Sequence, residues 1–233
     1  MTFTLYYIII LVISIFLNLI FPSLKIYWYF AFSIKQIKEN HQYWRFFTNY
    51  LIKPTKKVNT GTLLSLVSLY THLYNLEISA QQKDKYSKFI MIILILCILN
   101  ILMTYLFFYI FDEKESRCLL NEFYYSLSSM EAYKRPYNRS FIGPIPIYQR
   151  FVPIALVLIE IYYTKNISLE ILKTPLIGII SGIVFCLITK KLKIKYIPDI
   201  LKRILNEPTE EKRKIRKEER ISFEKNIKKY LRI

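Results

Sequence analysis

Serine and histidine are the residues of this sequence that could support nucleophilic chemistry. Ser126, Ser128 and Ser129 lie together in the segment CLLNEFYYSLSSMEAY, and the two histidines, His41 and His72, lie far upstream of the last apolar run, residues 172–189. A serine becomes a nucleophile when a base lies within hydrogen-bonding reach. Lysine can also act as that base, but Lys190 and Lys191 follow the last apolar run and lie at its edge. We therefore predict that the chain is not an enzyme.

A second chemically distinctive stretch is QYWRFFTNYL, residues 42 to 51, which contains the pair Trp44-Arg45. The arginine side chain carries five donors on a planar group, so it can bind phosphates or cap backbone carbonyls. Tryptophan favours the headgroup level of a membrane. Two interpretations stay open: the pair fixes the fold of its own loop, or it contacts a substrate or a lipid directly.

Polar residues also recur within two apolar segments. In the first, residues 58–76, they are spaced by three and four positions and therefore share one helical face: Gly61, Ser65, Ser68, His72 and Asn75. In the second, residues 118–133, they are Glu122, Ser126 and Ser129. For Gly61 to Ser68 we favour close helix packing through small residues. For His72 and Asn75 packing and a wet cavity are equal alternatives, and Glu122 should face a bundle interior.

These residues must be positioned by membrane-spanning helices. The 233 residues are 53% hydrophobic, and residues 5–22 and 89–111 contain no charged side chain. Eighteen such residues span a hydrocarbon core of about 30 Å as a helix. Weaker candidates complete a set of six predicted spans: 58–76, 118–133, 151–163 and 172–189. The first run lacks a basic region before it, so we read it as a retained span and not as a cleaved signal peptide.

Two further regions are predicted to lie outside the spans. Residues 23–57 mix aromatic side chains with lysines and are expected to lie in the membrane interface. Residues 190–233 contain 16 Lys/Arg and 7 Asp/Glu, so they carry +9 of the net charge of +17. We predict a transmembrane domain over 1–190 and a basic cytosolic tail over 191–233 that is attracted to anionic lipids. The mixed signs of charge argue against nucleic-acid binding.

The order of these parts resembles the Derlin family, the inactive relatives of rhomboid intramembrane proteases. Trp44-Arg45 precedes the second span, that span ends in VSLYTHLYNLE, and Gly178 and Gly182 form a G-x-x-x-G pattern in the last one. The resemblance covers about residues 5 to 190. It implies an all-α, rhomboid-like bundle of six transmembrane helices in the endoplasmic reticulum, with both termini in the cytosol. The glycine pair should approach the helix that holds Ser126 and Ser129.

The resemblance also implies a function. Derlins assist the degradation of misfolded proteins, which they help to move from the endoplasmic reticulum to the cytosol. The implied partners are membrane lipids, misfolded client proteins, a membrane ubiquitin ligase complex and a cytosolic AAA+ unfoldase, and no cofactor is implied. The C-terminal box by which many Derlins bind the unfoldase is not found, because no glycine follows Gly182. Short spans with polar faces would act by thinning the bilayer locally.

Three alternatives remain at this point. A small transporter or channel would need duplicated halves and a paired site near the midplane, and the sequence contains no evident repeat. A protein that only shapes the bilayer would need no client. An active rhomboid protease would need a G-x-S-G motif, and the nearest string, which ends at Gly182, lacks the first glycine.

Overall fold

The computed structural model of the chain describes residues 2–21, 29–52, 60–81, 86–111, 118–142, 145–164 and 169–192. These residues are mostly helical. The predicted cytosolic tail beyond residue 192 lies outside the described residues, as do parts of the predicted interfacial segment, residues 23–28 and 53–57.

Six long helices dominate the described residues: α1 (Phe3–Ile20), α4 (Thr60–Gln81), α5 (Tyr86–Phe111), α6 (Leu120–Lys134), α7 (Val152–Thr164) and α8 (Leu169–Leu192). The described residues between α1 and α4 include the short helices α2 (Ile34–Asn40) and α3 (Arg45–Thr48). Ser33 caps the start of α2 by accepting a hydrogen bond from the Gln36 amide. The connection from α6 to α7 contains two strands, β1 (Arg139–Ile142) and β2 (Ile145–Tyr148), and a 3-10 helix over Gln149–Phe151.

Three of these helices are long and apolar enough to span a membrane: Phe3–Ile20, Tyr86–Ile110 and Leu172–Lys190. They belong to α1, α5 and α8. The other long helices are either more polar, as α4 is, or shorter, with 15 residues in α6 and 13 in α7. The protein is therefore a helical one with the features of a membrane protein. Three of the six predicted spans, 5–22, 89–111 and 172–189, coincide with these helices.

The exterior of the bundle is apolar, whereas its interior contains both apolar and polar side chains. Large apolar side chains are exposed along α1, α5, α7 and α8, including Phe16, Ile98, Ile154 and Leu187. Polar residues lie in the interior beside an apolar core: Thr4, Thr62, His72, Glu77, Ser87, Asn100, Thr104, Glu122, Ser126, Ser128, Ser129 and Ser181. Soluble monomers rarely expose apolar surface this continuously. Lipid is the solvent that suits such an exterior.

Specific contacts define the direction of the helices. The Glu77 carboxylate near the end of α4 accepts hydrogen bonds from the Phe3 and Thr4 amides, at 2.8 and 3.0 Å, so α1 and α4 run antiparallel. The Tyr86 hydroxyl at the start of α5 donates to the same carboxylate at 3.1 Å. At the opposite end of the bundle, Lys38 of α2 lies 6.0 Å from the Tyr105 ring near the end of α5.

The segment between α6 and α7 contains the one pair of strands among the described residues. β1 and β2 pair as an antiparallel hairpin in which Arg139 lies opposite Tyr148. The described residues are mostly helical apart from this hairpin, as the all-α prediction requires. Two strands of four residues, the second of which contains a proline, carry almost no periodic signal, which is why the pattern did not predict the hairpin.

Candidate functional site

α6 is the centre of the bundle and, among the described helices, carries the largest number of buried polar residues: Glu122, Ser126, Ser128 and Ser129. It contacts α4, α5, α7, α8 and the 3-10 helix, and every residue from Glu122 to Met130 is buried. Such a polar helix is unfavourable in contact with lipid, because unsatisfied polar groups are costly in hydrocarbon. Four helices enclose α6. The cost of burying a polar group is removed wherever a side chain or backbone group of these helices hydrogen-bonds to it.

The middle of α6 is joined to α5 by a buried amide. Asn100 Nδ2 donates to Ser126 Oγ at 3.1 Å, and Ser126 Oγ donates in turn to the Phe123 carbonyl of its own helix at 2.7 Å. Both side chains are fully buried. Asn100 interrupts one of the most apolar runs of the chain, and this partner explains how the bundle accommodates it.

The end of α6 is joined to α4 by an ionisable pair. His72 Nδ1 lies 2.5 Å from Glu131 Oε2, and Gln149 Nε2 of the 3-10 helix donates to the same oxygen at 3.3 Å. The His72 ring also contacts the Tyr124 ring, with 6.2 Å between centroids. His72 is almost fully buried, so this group fixes three elements at one point. The sequence prediction included His72 but not its partners.

The opposite face of α6 contacts α7 and α8. The Tyr125 hydroxyl donates to the Glu160 carboxylate of α7. Ser129 Oγ lies 3.1 Å from the Ser126 carbonyl and 3.3 Å from the Ile179 carbonyl of α8, and either can accept its proton. These bonds place polar groups between helices, where they are shielded from lipid.

Two glycines bring α8 against α6. A Cβ added to Gly178 would meet the Glu122 carbonyl oxygen and would lie 2.6 Å from Tyr125 Cβ. A Cβ added to Gly182 would meet Ser129 Oγ and the Ser126 carbonyl oxygen. Any side chain at either position would therefore force the two backbones apart. The glycine pair lies against the serine-containing helix, and the buried carboxyl residue Glu122 belongs to the same contact.

The predicted polar face of α4 is only partly directed inward. Ser65 and Ser68 are half-buried and His72 is buried, but Asn75 is exposed. Gly61 lies in the first turn of α4. Asn75 therefore lies outside the buried part of α4, and its role stays a prediction. At about 100° per residue, Asn75 lies roughly 160° around the helix from the buried residues Leu73 and Glu77, two positions away on either side.

The Trp-Arg pair divides into an inward and an outward residue. Arg45 is 4% exposed; its Nη1 donates to the Ala31 carbonyl at 2.7 Å and its Nε to Gln42 Oε1 at 2.6 Å. Burial lowers the pKa of the Arg45 guanidinium from its ordinary value, yet arginine stays charged in proteins. Trp44 is 51% exposed. Arg45 thus holds the loop together, while Trp44 faces the surroundings.

Glu77 is the buried residue that the sequence analysis missed as a site. Its carboxylate binds the first free amides of α1, where the positive end of the helix dipole lies. A glutamate at the end of an otherwise uncharged polar helix was the available signal. The pattern could not indicate which helix it would cap.

These contacts give Ser126 and Ser129 hydrogen-bond partners other than His72. In the described residues His72 is bound to Glu131, whereas the hydroxyls of Ser126 and Ser129 have backbone carbonyls within reach. The arrangement can join helices and offer polar groups within the bundle. Nucleophilic attack would need a base at the serine. His72 is hydrogen-bonded to Glu131 and not to Ser126 or Ser129.

No protein-family model matches this chain, and neither a curated protein nor a solved structure matches it. The resemblance to the Derlin family therefore rests on the residues quoted from the sequence.

Proposed function

We propose that this protein is a non-catalytic, Derlin-like component of the endoplasmic reticulum membrane that assists the passage of misfolded proteins to the cytosol. The proposal includes six spans in a rhomboid-like arrangement and both termini in the cytosol. It is supported by the Trp-Arg loop, by the glycine contact between α8 and α6, and by the polar interior. Misfolded clients and a membrane ubiquitin ligase complex are its partners, and docking of an AAA+ unfoldase through the ligase is one arrangement it allows.

The observation that carries the mechanism is the length of α7. The described part of this helix has 13 residues, or about 20 Å, and the charged residue Lys165 follows it in the sequence. The 3-10 turn before it adds roughly 6 Å. The hydrocarbon core is about 30 Å thick. α7 exposes Ile154, Leu158 and Tyr162, so its short apolar face lies against lipid. A bilayer that meets a short apolar face becomes thinner beside it.

Thinning lowers the barrier that a polar polypeptide meets. A charged side chain at the centre of a bilayer costs at least about 3 kcal/mol, and local thinning with water defects is one way in which that cost falls. α7 lies beside α6, whose polar residues Glu122 and Ser126 are enclosed in the bundle. The proposed role of the protein is thus to combine a thin patch of bilayer with a polar interior.

Bilayer thickness tests this mechanism. The purified protein is reconstituted in phosphatidylcholine bilayers, and the local thickness around it is measured by electron cryomicroscopy. A variant with one extra apolar turn inserted after Leu158 lengthens α7 by about 5 Å and is expected to reduce the thinning. The matched control carries the same insertion next to Tyr137, which is exposed in the α6–α7 connection. An undistorted bilayer around the unmodified protein would overturn the mechanism.

Client degradation tests the cellular role. Depletion of the protein is expected to slow the degradation of a misfolded membrane client, and the protein is expected to co-purify with a ubiquitin ligase. Cleavage of a membrane-embedded peptide by the purified protein would instead identify an active protease. Solute flux through liposomes without any client effect would identify the transporter alternative.

A further inference from the structure

An apolar groove lies outside the polar interior, between α1, α5 and the segment that contains α3. Its volume is about 570 Å³. α1 contributes residues from Phe3 to Ile10, α5 contributes residues from Ile93 to Leu102, and the loop closes it with Phe46, Phe47 and Leu51. Tyr6, Ile98 and Leu102 are exposed, so the groove opens on the apolar exterior of the bundle.

The polar atoms near this groove are used within its walls. The Tyr7 hydroxyl donates to the Tyr50 carbonyl at 2.7 Å, and the Tyr50 hydroxyl donates to the Cys97 carbonyl at 2.7 Å. These two bonds tie α1, the loop and α5 together. They also leave hydrocarbon as the surface that lines the groove, which excludes a polar ligand inside it.

A cation marks one end of the groove. Lys38 Nζ lies 6.0 Å from the centre of the Tyr105 ring. Tyr105 is exposed and lies on the same face of α5 as Ile98 and Ile101, one helical turn or about 6 Å beyond Ile101. Lys38 is exposed and the structure gives it no carboxylate partner among the described residues, whereas the neighbouring Lys35 is paired with Glu39 at 4.0 Å. An apolar groove that ends at a cation matches the chemistry of an anionic lipid.

The volume of the groove suits a lipid chain. If each methylene needs roughly 30 Å³, the share of a water molecule in the liquid, an acyl chain of about 16 carbons needs roughly 500 Å³. The groove, at about 570 Å³, is therefore large enough for one chain.

We propose that the groove between α1, α5 and Phe46-Phe47 is a binding site for one acyl chain of an anionic phospholipid whose phosphate lies at Lys38. The site is distinct from the polar interior around α6. The lipid site requires only that the protein is embedded in a membrane. A test of this site is therefore independent of any role in degradation.

Photocrosslinking tests this site. The full-length protein is reconstituted in phosphatidylcholine vesicles that contain a trace of phosphatidylserine with a diazirine midway along one acyl chain, and the crosslinked peptides are identified by mass spectrometry. We expect adducts on residues 3–10 and 93–102 that saturate at one lipid per protein and that unlabelled phosphatidylserine displaces. Adducts spread evenly over the exposed faces of α1, α5 and α7 would overturn the site.

Two pairs of variants separate the chain site from the headgroup site. Ile98→Trp fills the groove and is expected to lower the adduct yield roughly tenfold, a change of about 1.4 kcal/mol, whereas Ile154→Trp on the exposed face of α7 leaves it unchanged. Leu102→Trp provides a second groove variant.

Lys38→Gln is expected to reduce the preference for phosphatidylserine over phosphatidylcholine roughly fivefold, since one such cation contributes about 1 kcal/mol. Lys35→Gln is its control.

The outcomes are distinguishable. Equal adduct yields in the Ile98→Trp and Ile154→Trp variants would overturn the chain site. An equal headgroup preference in Lys38→Gln and Lys35→Gln would overturn the headgroup site. An absence of lipid adducts on residues 3–10 and 93–102 would overturn the proposal and would favour a transmembrane segment as the occupant.

Discussion

At the scale of single residues, Arg45 shows how one side chain can define a loop. Its guanidinium bonds the Ala31 carbonyl and the Gln42 side chain from a buried position. These are the contacts that the loop-fixing interpretation requires of Arg45. Trp44 faces outward.

Arg45→Ala is therefore expected to lower stability. It leaves a buried carbonyl without its charged donor, and hydrogen bonds to charged groups contribute about 1.5–3 kcal/mol each. Arg45→Lys should recover only part of the loss, because a single ammonium lacks the planar fork. The measurement is thermal unfolding in detergent, with protease cleavage within residues 42–51 as a second readout. Trp44→Ala is the control, and an equal loss of stability in that variant would contradict the assignment.

The pair His72 and Glu131 allows a quantitative test. Because the two side chains meet inside the bundle, a double-mutant cycle with His72→Ala and Glu131→Ala should give a coupling of about 1–3 kcal/mol. The exposed pair Lys35 and Glu39 is the matched control and should give about 0.5 kcal/mol or less. Unfolding free energies in mixed micelles provide the measurement. Equal coupling free energies in the two cycles would show that the buried pair stabilises the protein no more than the exposed pair does.

At the scale of elements, the contact between α6 and α8 depends on the absence of two side chains. Gly182→Ala places a methyl group against the Ser126 carbonyl and Ser129 Oγ. Overpacking of this kind costs about 1–3 kcal/mol. Unfolding of the variant measures the loss. Gly182→Ala combined with Ser129→Ala should recover part of it, because only one of the two clashes involves a side chain.

The control for this contact is Ile180→Ala, which lies between the two glycines on the exposed side of α8. Its effect should stay within about 0.5 kcal/mol, as for other surface substitutions. If Gly182→Ala were equally harmless, the close approach of α8 to α6 would not contribute to stability.

At the scale of the whole molecule, the proposed six spans place the α2 segment and the α6–α7 hairpin on opposite sides of the membrane. Lys35 and Asn138 are exposed residues in these two regions. In variants that lack the natural cysteines, Asn138→Cys should react with an impermeant maleimide in sealed microsomes, whereas Lys35→Cys should react only after detergent is added. Reaction of both cysteines from the outside would contradict the arrangement.

Sequence reasoning located the long helices because apolar runs and their breaks are local signals. It placed Ser126, Ser129, Gly178 and Gly182 in the helices that the structure brings together. It failed where the information is not local. The partner of His72 lies 59 residues away and the first amide bound by Glu77 lies 74 residues away, and no pattern in a single helix encodes either distance. The exposure of Asn75 could not be predicted for a different reason. Its spacing from His72 places the two residues on one face, but spacing does not define how wide the buried part of that face is.

The carboxylate of Glu77 has a consequence for biogenesis. The opening turn of α1 is synthesised before α4, yet its Phe3 amide can bond to the Glu77 carboxylate only after the chain has grown by 74 residues. At about 5–20 residues per second, the ribosome needs roughly 4–15 s to deliver that acceptor. During this time α1 lies in the translocation machinery or the bilayer without the Glu77 acceptor for its Phe3 and Thr4 amides. Arrest of translation before residue 77 would leave α1 in that state.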